Sequence, residues 1–416
     1  MLKQLASGRA IVFSIIAGFI LGYLSFKLGY SEFASYIKPV GKVFIQLLKM
    51  MIVPLVFSSI FMAVINLGTP EKLKRIGLKA LLYYFTTTCI AAFIGLIAVN
   101  LIQPGKGVDI GSLPTEKVSE NLSATLKAGA DSGVLKSVLK VLQDAIPTNP
   151  VAAFANADIL QIIVFSIFLS LAALFFRKES EPLINIVASL EFLSLKLVQA
   201  IMLIAPFGIF ALLFDVMAQS GLDVIFVLGK YVMTVVSGLL IHFIILAFIG
   251  GYLIKISPIQ LIHKLAKPIL TAFSTASSAA TLPLTMQTVE DNLNVDKETS
   301  KFVLPLGATI NMDGTALYES VAVIFIGQVY GLDLSLTNQL IIFVTASLAA
   351  VGAAAIPQAG IVTMGIVLSA VGFPLDAIAL ILSVDRIVDM FRTAVNVFGD
   401  CIGACFVSFT KMNKTS

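Results

Sequence analysis

Charged residues are scarce in this chain of 416 residues, because Asp, Glu, Lys and Arg together make up only 12% of it. Hydrophobic residues make up 58%, and the mean hydropathy is +0.98. A soluble domain could not expose a surface of this composition, so the scarcity of charge excludes a soluble protein and predicts a polytopic membrane protein. The basic residues are spread over several segments, so no nucleic-acid partner is expected.

Cysteine and histidine are also rare, with three and two residues in the whole chain. Cys89, Cys401 and Cys405 are odd in number and lie in apolar segments, which is typical of buried free thiols. The two histidines are His242 and His263. Cys401 and Cys405 are one helical turn apart, but neither histidine lies in a ligand-like cluster, so a zinc-type metal site is not expected.

Long uncharged segments can each cross a hydrocarbon core about 30 Å thick. In the first half of the chain, spanning helices are predicted over about residues 9–29, 38–67, 78–103, 183–216 and 223–254. A broken region that ends near Phe176 lies between the third and fourth of these. A barrel would show short alternating strands instead. The first apolar run follows Lys3 and Arg9 and lacks a small-residue cleavage site, so it is interpreted as a retained helix.

Basic residues in short loops predict the orientation in the membrane. These loops contain Lys72, Lys74, Arg75 and Lys79; Arg177 and Lys178; Lys255, Lys264 and Lys267; and Lys411 and Lys414. Short basic loops favour the cytoplasmic side, so both the N terminus and the C terminus are predicted to be cytoplasmic. The longer segment 105–149 is then predicted to lie outside, where its own lysines weigh less because long loops follow this rule poorly.

Three apolar segments in the second half are interrupted by small or polar residues, at 274–281, 307–315 and 352–360. Small hydroxylated residues at membrane depth suit a tip whose backbone faces a cavity, and Asn, Asp and Gly weaken helical hydrogen bonding. The first and third interruptions predict re-entrant segments, and the second predicts an unwound helix. A kink filled by neighbouring helices explains one interruption, but three together favour a transporter binding site.

The most informative segment is 382–400, where an otherwise apolar helix carries charged and amide side chains. At about 100° per residue, a polar face roughly 100° wide would contain Asp385, Asp389, Arg392, Thr393, Asn396 and Asp400. An Asp or Arg at the centre of a bilayer costs about 2.5 to 3.5 kcal/mol, so such residues persist only where they face protein, water or a bound ion. The segment therefore predicts a functional site.

Oxygen ligands without thiolate or imidazole suit hard cations. The candidate cation ligands are the side-chain or carbonyl oxygens of Gly307, Asn311, Asp313, Asn396 and Asp400. Tyr84, Thr87 and Thr88 add hydroxyl groups on an otherwise apolar span. Hydrogen bonding between helices explains these three hydroxyls equally well.

Arg392 requires an acceptor of a different kind. A guanidinium forks onto a carboxylate, and Asp389 one turn earlier could take an ammonium group, so the pair predicts a zwitterionic ligand with an acidic side chain. The alternative is an internal ion pair between Asp389 and Arg392 that only neutralises the helix. Asp385 and Arg386 are expected to pair with structural groups in loops or on the cytoplasmic side.

Several motifs resemble the dicarboxylate/amino acid:cation symporter family, and specifically its sodium-coupled glutamate/aspartate transporters. The matching stretches are 147–150, 274–278 with 281–283, 304–318, 352–360 and 389–400. The match spans nearly the whole chain, and the Asn-Met-Asp-Gly-Thr motif at 311–315 is highly specific. The resemblance implies an all-α polytopic protein of the cell membrane with eight transmembrane helices, two re-entrant helical hairpins and inverted repeats. It further implies a homotrimer that works by an elevator mechanism.

The resemblance also implies how the chain divides. A trimerisation scaffold would comprise residues 1–77, with helices 1 and 2, and residues 105–222, with an extracellular loop and helices 4 and 5. A mobile transport domain would comprise helix 3 at 78–104 and residues 223–416. Within 223–416, helix 6 would be followed by hairpin 1 at about 256–290, helix 7 at about 296–330, hairpin 2 at about 334–372 and helix 8 at about 375–412.

Site residues are implied in the same way. Arg392 would bind the side-chain carboxylate of the substrate and Asp389 its amino group. The remaining substrate contacts would come from Ser277, Ser278, Met312, Thr315, Ile356, Gly360, Thr393 and Asn396. The sodium sites would comprise Gly307, Asn311, Asn396 and Asp400; Tyr84, Thr87, Thr88 and Asp313; and Thr309 with Ala350, Val351 and Ala353.

The chain departs from its relatives at a few positions. Ala276 stands where some members have an arginine, and Ala350 and Ala353 stand where relatives can offer hydroxyls. Gln358 replaces a glycine of some relatives. The intact 311–315 motif favours sodium over proton coupling, and Arg392 favours acidic over neutral substrates. A proton-coupled carrier, or a carrier of neutral amino acids or dicarboxylates, remains the alternative within the family.

Two other classes of protein are less favoured. A channel would conduct ions without accumulating a substrate. An intramembrane aspartyl protease could draw two carboxylates from Asp313, Asp385, Asp389 and Asp400. The arginines one turn away would hold those carboxylates ionised, whereas one carboxyl of a protease pair must carry a proton. The sequence therefore predicts a transporter and not an enzyme.

Overall fold

A computed structural model describes residues 8–30, 32–66, 76–107, 143, 145–201, 203–220, 223–351 and 359–412. Within these ranges the regular secondary structure is helical, and no strand occurs. The predicted all-α class is therefore confirmed. By length and composition alone, four of the described helices can cross a membrane, over Leu78–Ile102, Glu181–Ile201, Phe226–Ile254 and Val384–Phe409.

The helices are numbered here along the described residues. In the first half they are α1 (Gly8–Lys27), α2 (Phe33–Ile65), α3 (Leu78–Ile102), α4 (Pro150–Ala155), α5 (Ile159–Phe175), α6 (Glu181–Ile201) and α7 (Ala205–Ser220). In the second half they are α8 (Asp223–Ile254), α9 (Pro258–Thr275), α10 (Ser278–Leu293), α11 (Lys297–Ile310), α12 (Asp313–Val329), α13 (Leu336–Val351), α14 (Ala359–Ala370) and α15 (Ile378–Met412). A single 3-10 turn over Leu375–Ala377 precedes α15.

Local sequence explains where many of these helices begin. Five of them follow a side chain that accepts hydrogen bonds from first-turn amides, namely Asn149, Asp158, Ser257, Ser277 and Asp296. Such caps satisfy amides that have no partner inside the helix. Ser257 and Gln260 also complete a capping box at the start of α9. The turns between helices are thereby fixed by short-range chemistry.

The continuous span predicted over 183–216 is wrong, because the structure divides it into α6 and α7. The second of these helices begins at Ala205, and Pro206 occupies its first turn. Proline lacks an amide hydrogen, so it fits the first turn of a helix but would break a hydrogen bond in the interior of a longer one. The proline therefore favours a helix that starts here, and residues 203 and 204 lie in the turn that precedes it.

Two of the three interruptions predicted in the second half lie in described residues, and both fall between helices. α11 ends at Ile310 and α12 begins at Asp313, so the helix unwinds at Asn311 and Met312 as the sequence predicts. Between α9 and α10 the break is confined to Ala276, which has a left-handed backbone (φ 51°), and Ser277. The interruption predicted at 274–281 is therefore too long, because α9 continues to Thr275 and Ser277 caps α10 directly. The predicted tip of hairpin 2 lies outside the described residues.

The helices pack in two groups. In the first, α2 contacts α5, α6 and α7, while α7 also contacts α1 and α5 also contacts α4. In the second, α3 and α8 to α15 surround α12 and α15. Every residue of α12 except Gln328 is buried, which is expected of a helix that is enclosed by other helices on all sides. The interrupted segments and the polar face of α15 thus lie in one group.

Candidate functional site

The break between α11 and α12 lies directly against α15. The side-chain nitrogen of Asn311 donates to the carbonyl oxygen of Asn396 at 3.1 Å and to Asp400 Oδ1 at 2.9 Å. In return, the backbone nitrogen of Gly314 donates to Asn396 Oδ1 at 2.8 Å. All these residues are buried. The unwound backbone and the polar face of α15, which were predicted separately, therefore form a single cluster.

A second cluster surrounds the carboxylate of Asp313 at the start of α12. Its Oδ1 accepts from Thr87 Oγ1 at 3.1 Å and from Thr88 Oγ1 at 2.8 Å, both on α3. Its Oδ2 lies 2.9 Å from Nε2 of His242 on α8. The four side chains are buried. Three helices thus contribute to one polar cluster around a carboxylate that lies inside the protein.

Tyr84 and Gly307 bring the two clusters together. The hydroxyl of Tyr84 donates to the carbonyl of Val303 at 3.1 Å. A Cβ atom at Gly307 would lie 2.5 Å from both the Tyr84 hydroxyl oxygen and Asp400 Oδ1. Only a residue without a side chain lets the backbone of α11 approach these two oxygens so closely. The glycine therefore holds the Asp400 cluster next to the hydroxyl-bearing face of α3.

Replacing Gly307 with alanine is expected to lower the unfolding temperature of the purified protein in detergent. Alanine normally favours a helix over glycine by about 1 kcal/mol, but overpacking of a buried site costs about 1 to 3 kcal/mol. The matched control is Gly229→Ala on α8, where a Cβ would meet nothing within 4 Å. That control is expected to raise the unfolding temperature. Equal shifts in both variants would contradict the close contact at Gly307.

The chemistry of the two clusters suits an alkali cation. Among the described residues, no three His, Cys, Asp or Glu side chains come together in a way that could hold a metal ion. The oxygen atoms available to bind an ion belong to carboxylates, hydroxyls, an amide and backbone carbonyls, which are hard ligands. Asn311 Oδ1 is buried and has no hydrogen-bond partner among the described residues. A bound cation would satisfy this acceptor, because a buried acceptor without a partner is costly.

Arg392 lies on the same face of α15, one turn from the first cluster. Its Nη2 donates to Asp389 Oδ1 at 2.5 Å, so the internal ion pair considered from the sequence is present. Its guanidinium carbon lies 4.6 Å from the centre of the Tyr318 ring, a cation–π contact. Nη1 is buried and has no hydrogen-bond partner among the described residues. The ion pair therefore uses only part of the guanidinium.

Gly360, near the start of α14, faces the same guanidinium. A Cβ atom at this position would overlap both terminal nitrogens of Arg392. The nearest hydroxyl in α14 is that of Thr363, which donates to the carbonyl of Gly360 at 3.2 Å. The backbone of α14 at Gly360 thus packs directly against the guanidinium, on the side of Nη1.

Asp385 and Arg386 do not behave as the sequence suggested. Arg386 Nη1 lies 4.0 Å from Asp389 Oδ2, so its partner is on its own helix and not in a loop. The expectation was wrong because the i, i+3 spacing on α15 already offers a carboxylate. Asp385 is buried beside Tyr318 and Arg392, although neither of its oxygens forms a hydrogen bond of good geometry with a described residue.

The other predicted substrate residues come from the unwound segment at Met312 and from α10, α12 and α15, apart from one that the structure does not describe. The sulfur of Met312 accepts from the Asn396 amide at 3.2 Å and from the Thr315 hydroxyl at 3.7 Å. Thr393 is buried on α15. The side chain of Ser277 accepts from the backbone nitrogen of Ala280 at 3.2 Å. Ser278 is buried at the start of α10, and Ile356 lies outside the described residues.

The remaining predicted sodium residues are Thr309, Ala350, Val351 and Ala353. The hydroxyl of Thr309 donates to the carbonyl of Leu306 at 2.9 Å. Ala350 packs with Met312 in a small apolar cluster, which places the end of α13 against the unwound segment. Val351 is half-buried, and Ala353 lies outside the described residues.

Three buried polar residues near these clusters were not predicted from the sequence as site residues. They are His242 beside Asp313, Tyr318 over Arg392, and Glu319 on α12, whose two carboxylate oxygens have no hydrogen-bond partner among the described residues. A signal was available for two of them. Glu319 is the second acid in a buried apolar helix, and His242 is the single histidine of α8. Polar residues of this kind in a span are costly and are therefore candidates for function.

Comparison with known proteins points to one family of transporters. A model of the sodium:dicarboxylate symporter family matches residues 9–409. The proton/glutamate-aspartate symporter of Escherichia coli (strain K12) is 33% identical over 403 residues, which cover 96% of this chain and 91% of that protein. The proton/sodium-glutamate symport protein of Bacillus caldotenax is 32% identical, with 98% and 95% covered. Excitatory amino acid transporter 1 of Ambystoma tigrinum is 36% identical, with 95% and 81% covered. The chain therefore belongs to the sodium:dicarboxylate symporter family, whose members are membrane transporters and not enzymes.

Proposed function

We propose that this protein is a secondary active symporter that takes up acidic amino acids, aspartate or glutamate, together with sodium ions. The observation that carries the proposal is the buried guanidinium of Arg392, whose Nη2 is held by Asp389 while Nη1 has no partner among the described residues. A side-chain carboxylate would supply the missing acceptor in a bidentate fashion, and the substrate ammonium group would approach Asp389. Two relatives with over 90% of their length covered are named for glutamate, and one of them also for aspartate.

The rest of the substrate would be held by the groups that border this space. In the proposal, the α-carboxylate is bound by the first turn of α10 at Ser277 and Ser278 and by hydroxyls and amides of Thr315, Thr393 and Asn396. Met312, Ile356 and Gly360 complete the set. The hydrogen bond from the backbone nitrogen of Gly314 on α12 to Asn396 on α15 supports this set, because it fixes the Asn396 amide one turn from Arg392. Fixed polar groups around one charged anchor are typical of small-ligand sites.

Sodium is a transported substrate in this proposal, with two sites drawn from the clusters described above. One comprises the Gly307 carbonyl, Asn311, Asn396 and Asp400, and the other comprises Tyr84, Thr87, Thr88 and Asp313. A third would lie at Thr309 with the backbone of Ala350, Val351 and Ala353. The unpartnered Oδ1 of Asn311 and the three polar contacts of Asp313 support the first two. Ion and substrate would favour the same closed arrangement, which couples their binding.

The mechanism proposed is an elevator, in which the group formed by α3 and α8 to α15 moves against the group formed by α1, α2 and α4 to α7. The contacts within each group are more extensive than those between the groups, where α7 meets α15 and α2 meets α14, and this supports the division. The proposal also includes a homotrimer, which is held together by the group of α1, α2 and α4 to α7. Both termini would lie in the cytoplasm. Mass measurement of the detergent-solubilised protein by light scattering tests the trimer, and a monomer would contradict it.

Uptake of radiolabelled aspartate into proteoliposomes tests the proposed function. Inward sodium, proton and potassium gradients are imposed one at a time at the same membrane potential. Accumulation above the external concentration is expected with the sodium gradient. Currents without accumulation would indicate a channel, and accumulation of alanine in preference to aspartate would indicate a carrier of neutral amino acids.

Glu319 favours proton coupling as a second candidate function. Its carboxylate is fully buried, and neither oxygen forms a hydrogen bond of good geometry with a described residue, although Thr363 and Arg392 lie close enough to interact with it. Burying an ionised carboxylate without a partner is costly, whereas a carboxyl that carries a proton is neutral. The Glu319 carboxyl group could therefore carry a proton that is taken up with the substrate and released inside.

The change Glu319→Gln tests that role, because glutamine keeps the shape of the side chain but cannot bind an extra proton. We expect sodium-driven aspartate uptake to persist and any acceleration by an inward proton gradient to be lost. Uptake is measured in proteoliposomes with the internal and external pH set independently. Glu191→Gln, at a half-buried acid on α6, is the matched control. An equal response to the proton gradient in both variants would contradict proton carriage by Glu319.

A further inference from the structure

His242 contacts a different oxygen of Asp313 from the one that the hydroxyl groups of α3 contact. It is fully buried on α8, and its Nε2 lies 2.9 Å from Asp313 Oδ2. It is the one histidine in this apolar helix of 32 residues. A polar ring at such a position is retained only where it has a partner. The partner here is the carboxylate to which we assign a sodium ion.

The three donors around Asp313 differ in how freely they can turn. Thr87 and Thr88 donate to Oδ1 through hydroxyl groups, whose hydrogens rotate. Thr87 has a second acceptor within reach, because its Oγ1 also lies 3.1 Å from the carbonyl oxygen of Tyr84. When a cation binds, this hydroxyl can turn its hydrogen to that carbonyl and present its oxygen lone pairs to the ion. The imidazole ring has no such freedom.

The tautomer of His242 follows from its neighbours. Nε2 faces an oxygen of Asp313, and a carboxylate oxygen accepts hydrogen bonds, so the hydrogen is assigned to Nε2. Nδ1 is buried and has no partner among the described residues, so nothing described there holds the opposite tautomer. The ring therefore donates to Oδ2 and leaves Oδ1 to the hydroxyl groups on α3.

We propose that His242 is a positioning residue for the cation site at Asp313. Its N–H fixes the plane of the carboxylate through Oδ2, so that Oδ1 stays directed at the hydroxyl oxygens of Thr87 and Thr88, where the ion binds. The inference rests on the proposed sodium coupling and assigns a further residue to it. Partners behind a metal ligand commonly set its orientation, and their loss costs about 10- to 100-fold in metal affinity.

The kind of donor matters as much as its place. A lysine or arginine against Oδ2 would bring a fixed positive charge beside the ion and compete with it for the carboxylate. An imidazole N–H orients the same oxygen without a fixed charge. The pairing of a histidine with an aspartate that is also held by two hydroxyls therefore suits a site that takes up and releases a monovalent cation.

Three variants of the full-length protein test the proposal. His242→Phe keeps a ring but removes the donor, and His242→Gln places an amide N–H at a similar reach. The matched control is His263→Phe, because His263 is the other histidine of the chain and is exposed on α9. Two quantities are measured for each: the sodium concentration that gives half-maximal aspartate uptake in proteoliposomes, and the rise in unfolding temperature that sodium produces in detergent.

In His242→Phe, the half-maximal sodium concentration is expected to rise by about tenfold or more, and the sodium-dependent stabilisation to shift in parallel. The half-saturating aspartate concentration at saturating sodium is expected to stay unchanged. His242→Gln should restore the sodium response, and His263→Phe should behave as the wild type. If the phenylalanine variant does not fold, His242→Leu replaces it, since leucine also lacks a donor and is smaller.

A wild-type sodium response in the variant without a donor would overturn the proposal. Equal losses with phenylalanine and glutamine would also overturn it, because they would show that ring shape and not the N–H matters. These results differ from failure of the proposed function. If sodium neither drives uptake by the wild type nor stabilises it, sodium coupling itself is wrong, and the role of His242 fails with it.

Discussion

Replacing Arg392 with cysteine is expected to abolish the uptake of aspartate and glutamate while the protein remains folded. The guanidinium is buried between Asp389, Tyr318 and Gly360, and the proposed substrate carboxylate would pair with it. Removing one member of a buried, hydrogen-bonded charge pair costs about 2 to 5 kcal/mol, and each 1.4 kcal/mol is roughly tenfold in affinity. A loss on the order of 100-fold in the affinity for acidic amino acids is expected, measured by uptake and by binding to the purified protein.

The matched control for this change is Arg386→Cys. Arg386 is less deeply buried and lies 4.0 Å from the same aspartate. The Tyr318 ring and Gly360 contact Arg392 instead. Arg386→Cys should reduce uptake far less. Elution of both variants at the wild-type volume in size-exclusion chromatography shows that the fold is kept. Unchanged aspartate uptake by the Arg392 variant would contradict the assignment of the substrate carboxylate.

Replacing Asp313 or Asp400 with asparagine is expected to have the next largest effect. Each change removes the one acidic group of its cluster, and the charge of the ligands strongly tunes the affinity of oxygen sites for cations. Sodium-driven uptake should fall by more than about tenfold at a fixed sodium concentration. Part of this loss should be recovered at higher sodium. The measurement is the sodium dependence of aspartate uptake in proteoliposomes.

Asp333→Asn is the control for these two variants, because Asp333 is exposed in the loop that follows α12. The two buried residues should also differ from each other. Asp400 is held by the Asn311 amide, whereas Asp313 is held by two hydroxyls and an imidazole. A proton gradient that drives uptake equally well without sodium, in the wild type and in these variants, would rule out the sodium assignment.

The parts of the site that the sequence predicts depend on local rules. The unwinding at Asn311 and Met312 follows from residues that weaken helical hydrogen bonding, and the burial of one face of α15 follows from helical periodicity. The break after α9 was also predicted, although its length was not, since a single N-cap at Ser277 ends the turn early. Such features are encoded within a few residues of each other.

The contacts that the sequence does not predict join distant segments. His242 and Asp313 are 71 positions apart, and no periodicity relates them. The hydroxyls of Thr87 and Thr88 reach Asp313 across more than 220 positions. Whether these groups meet depends on how α3, α8 and α12 pack, and the same hydroxyls could equally have bonded to backbone carbonyls. Without the packing, a buried histidine in an apolar helix carries no indication of its partner.

The complete enclosure of α12 determines how strongly the two ends of the site affect each other. Its first residue is Asp313, and Tyr318, five residues later, covers Arg392. Packed protein and not electrolyte therefore lies between the two charged groups. Mobile ions screen charges only where solvent reaches them. In the low dielectric of packed protein, one unit of charge gained near Asp313 changes the potential at Arg392 without any movement of the backbone.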